Sequence, residues 1–303
     1  MLLMRLFFAF VVYGTFMGLP AGVGGLQGQP DPMGLARFFD LRFFADRHLL
    51  LGLGRWMLIV ALALYVADRL RFIALVIVCF WLIGPLTLEL SQGVAKHTTQ
   101  LLGLVLLVQV VYAGYAAVAK RRGSRLEIQR TITHWSKQAI VATYLVTAIT
   151  KVVASRGEWV KDSKYFPVQM EKTRMSEYYN RLGVPKEEPR TWLQEIFAEI
   201  DGWFATLSVR IGDLFLASPD LCRAFLGLGL LLEFLAPVAM LGRTWGSIIG
   251  MTLVVFHLTI SRIMALHFAT NMELIAIYLI NVPWLIFVGA RWMRERDAAS
   301  EAR

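Results

Sequence analysis

Residues 134–159 read HWSKQAIVATYLVTAITKVVASRGEW. Tyr144, Thr147 and Lys151 recur there at intervals of three and four, in a run made mostly of Ile, Val, Ala and Leu. On a helix those three residues share one face. The spacing therefore predicts an apolar helix with one narrow polar stripe, long enough to cross a hydrocarbon core of about 30 Å. A lysine at the end of such a stripe has two readings. Its ammonium can snorkel to the interface, which its place near the end of the span favours. Alternatively, an apolar cavity can hold it so that it gives up its proton and acts as a base.

The whole chain fits a membrane frame. It has 303 residues, 57% hydrophobic and only 17% charged, a composition of polytopic membrane proteins. The fold class is therefore all-α: a single transmembrane domain over residues 1–303, with about eight transmembrane helices and an amphipathic interfacial helix. The net charge of +9 is not a nucleic-acid signal, because the basic residues cluster between apolar runs as orientation signals do. Cys79 and Cys222 give neither a disulfide framework nor metal-ligand spacing, and no metal is expected.

Eight apolar runs are expected as spans: Leu2 to Leu19, His48 to Ala67, Phe72 to Leu90, Thr98 to Ala119, Ile132 to Val153, Leu221 to Leu241, Trp245 to Phe268 and Met272 to Ala290. The first is read as a retained helix, although Pro20-Ala21-Gly22 could follow a signal region. A Gly- and Pro-rich loop follows from Pro20 to Pro32, then a short interfacial helix from Leu35 to Phe44. Arg55, inside the second span, needs a partner or water if it lies deep. Residues 154–220 form an extracytoplasmic polar segment that ends in an amphipathic stretch, Trp192 to Phe215. That stretch either lies in the interface or packs on the protein.

With a cytoplasmic N-terminus, Arg69, Arg71, Lys120 to Arg130, Arg243 and Arg291 to Arg296 all fall inside, as the positive-inside bias requires. His97, Lys151, the polar segment and His267 then share the outer side, and both termini are cytoplasmic.

The deep polar residues are few. Glu233 sits mid-span in LLLEFLAP, where a carboxylate costs about 2.5–3.5 kcal/mol on insertion scales. It must be protonated, paired, or beside water. Pro237 lacks an N–H, which predicts a free Glu233 carbonyl on the same face. The structural alternative is an ion pair with Arg262 or a hydrogen bond to His257. His257 itself is either an interhelical hydrogen-bond partner or part of a site. His97 opens a span, as an interfacial histidine would. His134 and Lys137 lie at the cytoplasmic end of their span.

Trp135, Gln138, Tyr144, Lys151 and Trp159 together resemble the W…Q…Y-x6-K…W pattern of the vitamin K-dependent γ-carboxylases and their bacterial relatives, the horizontally transferred transmembrane (HTTM) proteins. Glu233, Pro237 and Arg243 resemble the E…P…R pattern of HTTM-type helices. Lys96-His97-Thr98-Thr99-Gln100-Leu101-Leu102-Gly103 is similar to the N-H-S-Y-L-x-G segment of the carboxylases. The resemblance implies a bacterial inner-membrane enzyme. Lys151 would be the base that deprotonates a reduced naphthoquinone, vitamin K hydroquinone or menaquinol, and His97 would assist. Tyr144, Thr147, Trp135, Glu233 and His257 would form the cofactor cavity. It further implies membrane lipids and quinone as partners and a protein or peptide substrate on the outer side. The animal carboxylases continue into a large soluble region that engages the substrate protein, a region not expected in this chain. Two other readings stay open: a non-catalytic, quinone- or partner-binding subunit like DoxX-type proteins, and a proton-coupled transporter using Glu233, His257 and Arg262.

Overall fold

The computed structural model describes residues 1–23, 34–91, 97–119, 124–161, 206, 210–211, 213–215, 217–264 and 268–301. The expected loop from Pro20 to Pro32 begins later, because residues 20–23 are still helical; the rest of it, the polar segment, the amphipathic stretch from Trp192 to Phe215 and His267 lie wholly or largely outside these residues. The described residues are helical without strands, so the chain is an all-α polytopic membrane protein. Among them, seven helices are long and apolar enough to cross a membrane, or eight if one bent pair is counted as a span.

Helix α1 is Leu2–Val23. Helix α2 runs Arg47–Val66 and contains a π-helical turn at Leu50–Gly54. Asp46 caps it by accepting from the His48 and Leu49 amides at 2.8 and 3.3 Å. Arg55 is exposed on its surface. Helix α3 is Arg71–Ser91, α4 is His97–Val118 and α5 is Arg125–Ala154. A short α6 covers Glu158–Lys161. Helix α7 is Pro219–Leu235, continued by a 3-10 segment at Ala236–Leu241, and α8 is Arg243–Met264. Helix α9 is Ala269–Ile275, extended by a π-turn at Ala276–Ile280, and α10 is Val282–Glu301.

Two further expectations change. The interfacial helix over Leu35 to Phe44 is instead two 3-10 turns, Gly34–Arg37 and Arg42–Ala45. Asp40 separates them: its carboxylate accepts from the Arg42 amide at 3.0 Å, an Asx-type turn, and also from the Arg42 guanidinium. The last span is not straight. The segments Ala269–Ile280 and Val282–Arg296 meet at 56°. Asn281 adopts the left-handed conformation at φ 63°, which asparagine tolerates, and Pro283 cannot donate back to Leu279.

The described residues gather into two compact units, Met1–Thr143 with Ala239–Gly250 and Ala269–Arg303, and Tyr144–Val238 with Met251–Phe268. In the first, α1 to α4 and α9 pack around Phe8, Tyr65, Leu82, Leu102 and Tyr278, all buried. Phe44 wedges against Gly84 of α3 so closely that a Cβ there would lie 2.1 Å from its ring. Gln109 is fully buried and ties two helices together: Tyr65 donates to its Oε1 at 3.0 Å, and its Nε2 donates to the Tyr278 hydroxyl at 2.8 Å. Asp68, in the turn after α2, pairs with Arg71 and with Arg5 of α1. The second unit is described with its site.

Candidate functional site

Four of the residues singled out in the sequence meet in the second unit. Tyr144 and Lys151 come from the C-terminal half of α5, Glu233 from α7 and His257 from α8. The seven-residue interval places Tyr144 and Lys151 about 10 Å apart along one face of α5. Thr147 lies between them and is half-buried.

Lys151 Nζ donates to Glu233 Oε1 at 2.5 Å. The lysine side chain keeps 30% of its exposure and the carboxyl only 7%. One end of the pair thus reaches the rim while the other is sealed. The Lys151 ammonium also lies 5.3 Å from the centroid of the Trp159 ring, within cation–π range. The end of α5 brings Trp159 there. Gly157 N–H bonds Val152 O at 3.0 Å and Arg156 N–H bonds Val153 O at 3.2 Å, the paired bonds of a Schellman turn, with Arg156 left-handed at φ 51°. Ser155 Oγ donates to Lys151 O and accepts from the Trp159 amide at 3.1 Å, so the turn and the start of α6 are stitched to the lysine's own carbonyl. Gly157 follows at φ 82°, a second positive-φ position that glycine takes without strain.

One turn-pair deeper on α5, the Tyr144 hydroxyl lies 2.6 Å from His257 Nε2, with both residues 5% exposed. Aromatic rings close around the imidazole: Phe268 at 4.6 Å between centroids and Phe256 at 6.2 Å, with Phe225 behind Phe256 at 5.6 Å. Next to them Phe215, Cys222 and Leu226 form a buried cluster against Trp159 and Phe225. Neither Cys79 nor Cys222 is joined in a disulfide.

Two buried atoms of this site have no hydrogen-bond partner among the described residues: Glu233 Oε2 and His257 Nδ1. Such atoms are costly in an apolar interior unless something else satisfies them. They are the polar atoms of this pair of contacts with hydrogen-bonding capacity to spare.

The structure redistributes the expected partners. Glu233 takes Lys151, and His257 takes Tyr144; Arg262 is outside the described side chains. The Glu233 carbonyl is not free as Pro237 suggested, because the chain tightens into a 3-10 turn and the Ala236 amide takes it. Trp135 and His97 belong to the first unit. Trp135 is 41% exposed and packs on Tyr112 at 5.4 Å. His97 opens α4, whose Thr99, Gln100 and Gly103 line a cavity of about 220 Å³ with Thr87 and the buried Glu89 of α3. Among the described residues no three His, Cys, Asp or Glu side chains gather as a metal site would require.

Ser155, Gly157, Phe256 and Phe268 belong to the site without having been singled out as its parts. Only Gly157 carried a sequence signal, as a glycine just past the end of an apolar run. No known family model, curated protein or solved structure matches the chain.

Proposed function

We propose that the protein is a γ-carboxylase-like membrane enzyme of the HTTM type, in which Lys151 takes a proton from a reduced naphthoquinone. The observation that carries this reading is the Lys151–Glu233 contact, a lysine bonded to a sealed carboxyl, on the same helix face as the buried Tyr144–His257 pair.

The residues present fit such a cofactor. A quinol is a flat apolar ring system bearing two oxygens. The two unpartnered buried atoms, Glu233 Oε2 and His257 Nδ1, suit its oxygens, and the Trp159 ring beside Lys151 supplies an apolar surface. When bound, a quinol supplies the electrons that reduce oxygen and the proton that Lys151 takes. A free lysine, near pKa 10.4, is almost wholly protonated at neutral pH and cannot serve as a base. Glu233 offers a remedy. A proton moving along the Nζ–Oε1 hydrogen bond converts ammonium and carboxylate into amine and carboxylic acid, both uncharged. Where water is scarce, that exchange removes two desolvated charges at once. The amine then accepts the next proton, and Glu233 keeps the first. Tyr144 holds His257 by its Nε2, so that its Nδ1 is left to face the ligand.

The outer side is the proposed place of the chemistry, with both termini in the cytoplasm of a bacterial cell and a protein or peptide as final substrate. The basic clusters support this orientation. The test uses the purified protein with vitamin K hydroquinone or reduced menaquinone and oxygen. Formation of the epoxide or quinone, abolished in Lys151→Ala, is the expected result. Turnover in Lys151→Ala equal to that of the unaltered protein overturns the proposal. Tight quinone binding without turnover would instead assign a non-catalytic, quinone-binding subunit.

A further inference from the structure

We infer that Gly229 is a positioning residue of this site: the notch it leaves in α7 seats the Phe256 ring and thereby sets where His257 stands against Tyr144. Its meaning for catalysis rests on the reading above; its geometry does not.

Gly229 is buried, and a Cβ built on it would lie 2.1 Å from Phe256 Cζ and 2.7 and 3.0 Å from Cε2 and Cε1. Real carbon atoms do not approach so closely, so the tip of the ring occupies space that only glycine leaves open. Four-residue steps place Phe225, Gly229 and Glu233 on one face of α7. The face that hands its carboxyl to Lys151 is therefore the face that receives Phe256. Phe256 adjoins His257 in sequence, and its ring packs against that of Phe225 at 5.6 Å and against the imidazole at 6.2 Å. A ring driven from the notch meets Phe225 on one side. On the other it meets the imidazole, which Phe268 backs at 4.6 Å. Phe225, Phe256 and Phe268 are half-buried while Gly229 and His257 are buried, so an added methyl disturbs the packed, imidazole side of the ring. The displacement then falls on His257, whose bond to the Tyr144 hydroxyl at 2.6 Å has little room to stretch.

Gly227 supplies the control, since nothing lies within 4 Å of a Cβ placed there. Phe256→Leu supplies the rescue, because leucine lacks the Cζ and Cε atoms that fill the notch. The experiment uses the full-length protein in lipid nanodiscs, with its five histidines labelled with ¹⁵N. The His257 signal is identified by its loss in His257→Asn. In Gly229→Ala the His257 Nε2 resonance is expected to move toward that of an unbonded imidazole. Affinity for reduced menaquinone should fall on the order of tenfold. Gly227→Ala should change neither, and adding Phe256→Leu to Gly229→Ala should restore the resonance. A Gly229→Ala resonance identical to that of the unaltered protein overturns the proposal, as does failure of Phe256→Leu to restore it. Should Gly229→Ala not fold, the double variant decides: folding with the native resonance supports the notch, and failure to fold overturns it. If the unaltered protein binds no quinol while the resonances behave as described, the positioning role stands and the quinol reading falls.

Discussion

Lys151 Nζ and Glu233 Oε1 lie 2.5 Å apart, although 82 residues separate them in the chain. The bond ties the last turn of α5 to the last turn of α7. Removing Lys151 leaves a buried carboxyl without its counterpart, and removing Glu233 leaves a half-buried ammonium without its own, whereas removing both leaves an apolar contact. Lys151→Met and Glu233→Leu are each expected to destabilise the protein by about 3 kcal/mol, at the lower end of the range because the lysine reaches the rim. The double variant should recover most of that loss. Unfolding in mixed detergent micelles measures all three, and additive losses would show that the pair is not coupled. Quinol turnover should stay absent in the double variant, so stability and activity part company there.

Tyr144→Phe removes one hydroxyl and changes little in volume. It leaves His257 Nε2 without its partner in a pocket otherwise lined by phenylalanine rings. A loss of about 1–2 kcal/mol is expected, modest because interhelical hydrogen bonds in membranes find substitutes when broken. In the proposed enzyme the same change should weaken quinol binding more than it slows turnover, since Tyr144 orients the histidine and does not itself accept the proton. A fall in turnover rate with unchanged KM would contradict that assignment.

Much of this architecture was legible in the residues. The span limits follow from the length of each apolar run, and the Tyr144–Thr147–Lys151 stripe follows from helical periodicity alone. What was not legible depends on contacts between distant segments. His257 could have bonded Glu233 or Tyr144, and nothing in a single helix chooses between them. The choice comes from how α7 and α8 register, to which Gly229 and Phe256 contribute. The bend after Ile280 was hidden for another reason: Asn281 and Pro283 sit inside an otherwise unbroken apolar run, and hydropathy does not register a left-handed residue.

Gly84 tests the packing of the first unit separately from the site. Its added Cβ would lie 2.1, 2.4 and 2.9 Å from three carbons of the fully buried Phe44 ring. Phe44 also contacts Phe43, Phe80 and Trp81, so it has nowhere to retreat. Gly84→Ala should therefore cost about 1–3 kcal/mol. Gly14→Ala, with open space around the new methyl, should be neutral or slightly stabilising through helix propensity. Thermal unfolding of the two variants side by side checks this, and equal midpoints would show that Phe44 moves freely.

Gln109 offers the sharpest test of whether a buried polar link holds the first unit together. Its amide accepts from Tyr65 at 3.0 Å and donates to Tyr278 at 2.8 Å, with no exposure of its own. Gln109→Leu keeps the bulk but takes away the group that both phenols bond. Each phenol left short of a partner costs about 1–3 kcal/mol, so the single substitution should be strongly destabilising. Replacing all three at once, as Tyr65→Phe/Gln109→Leu/Tyr278→Phe, removes the unmet hydroxyls along with the amide. The rings then still pack on Phe8, from which they lie 5.9 and 6.1 Å away. The triple variant should therefore unfold closer to the native midpoint than Gln109→Leu does. If the triple is instead the least stable of the set, the hydrogen-bonded link contributes net stability beyond satisfying its own polar atoms, and an apolar core of the same shape cannot replace it.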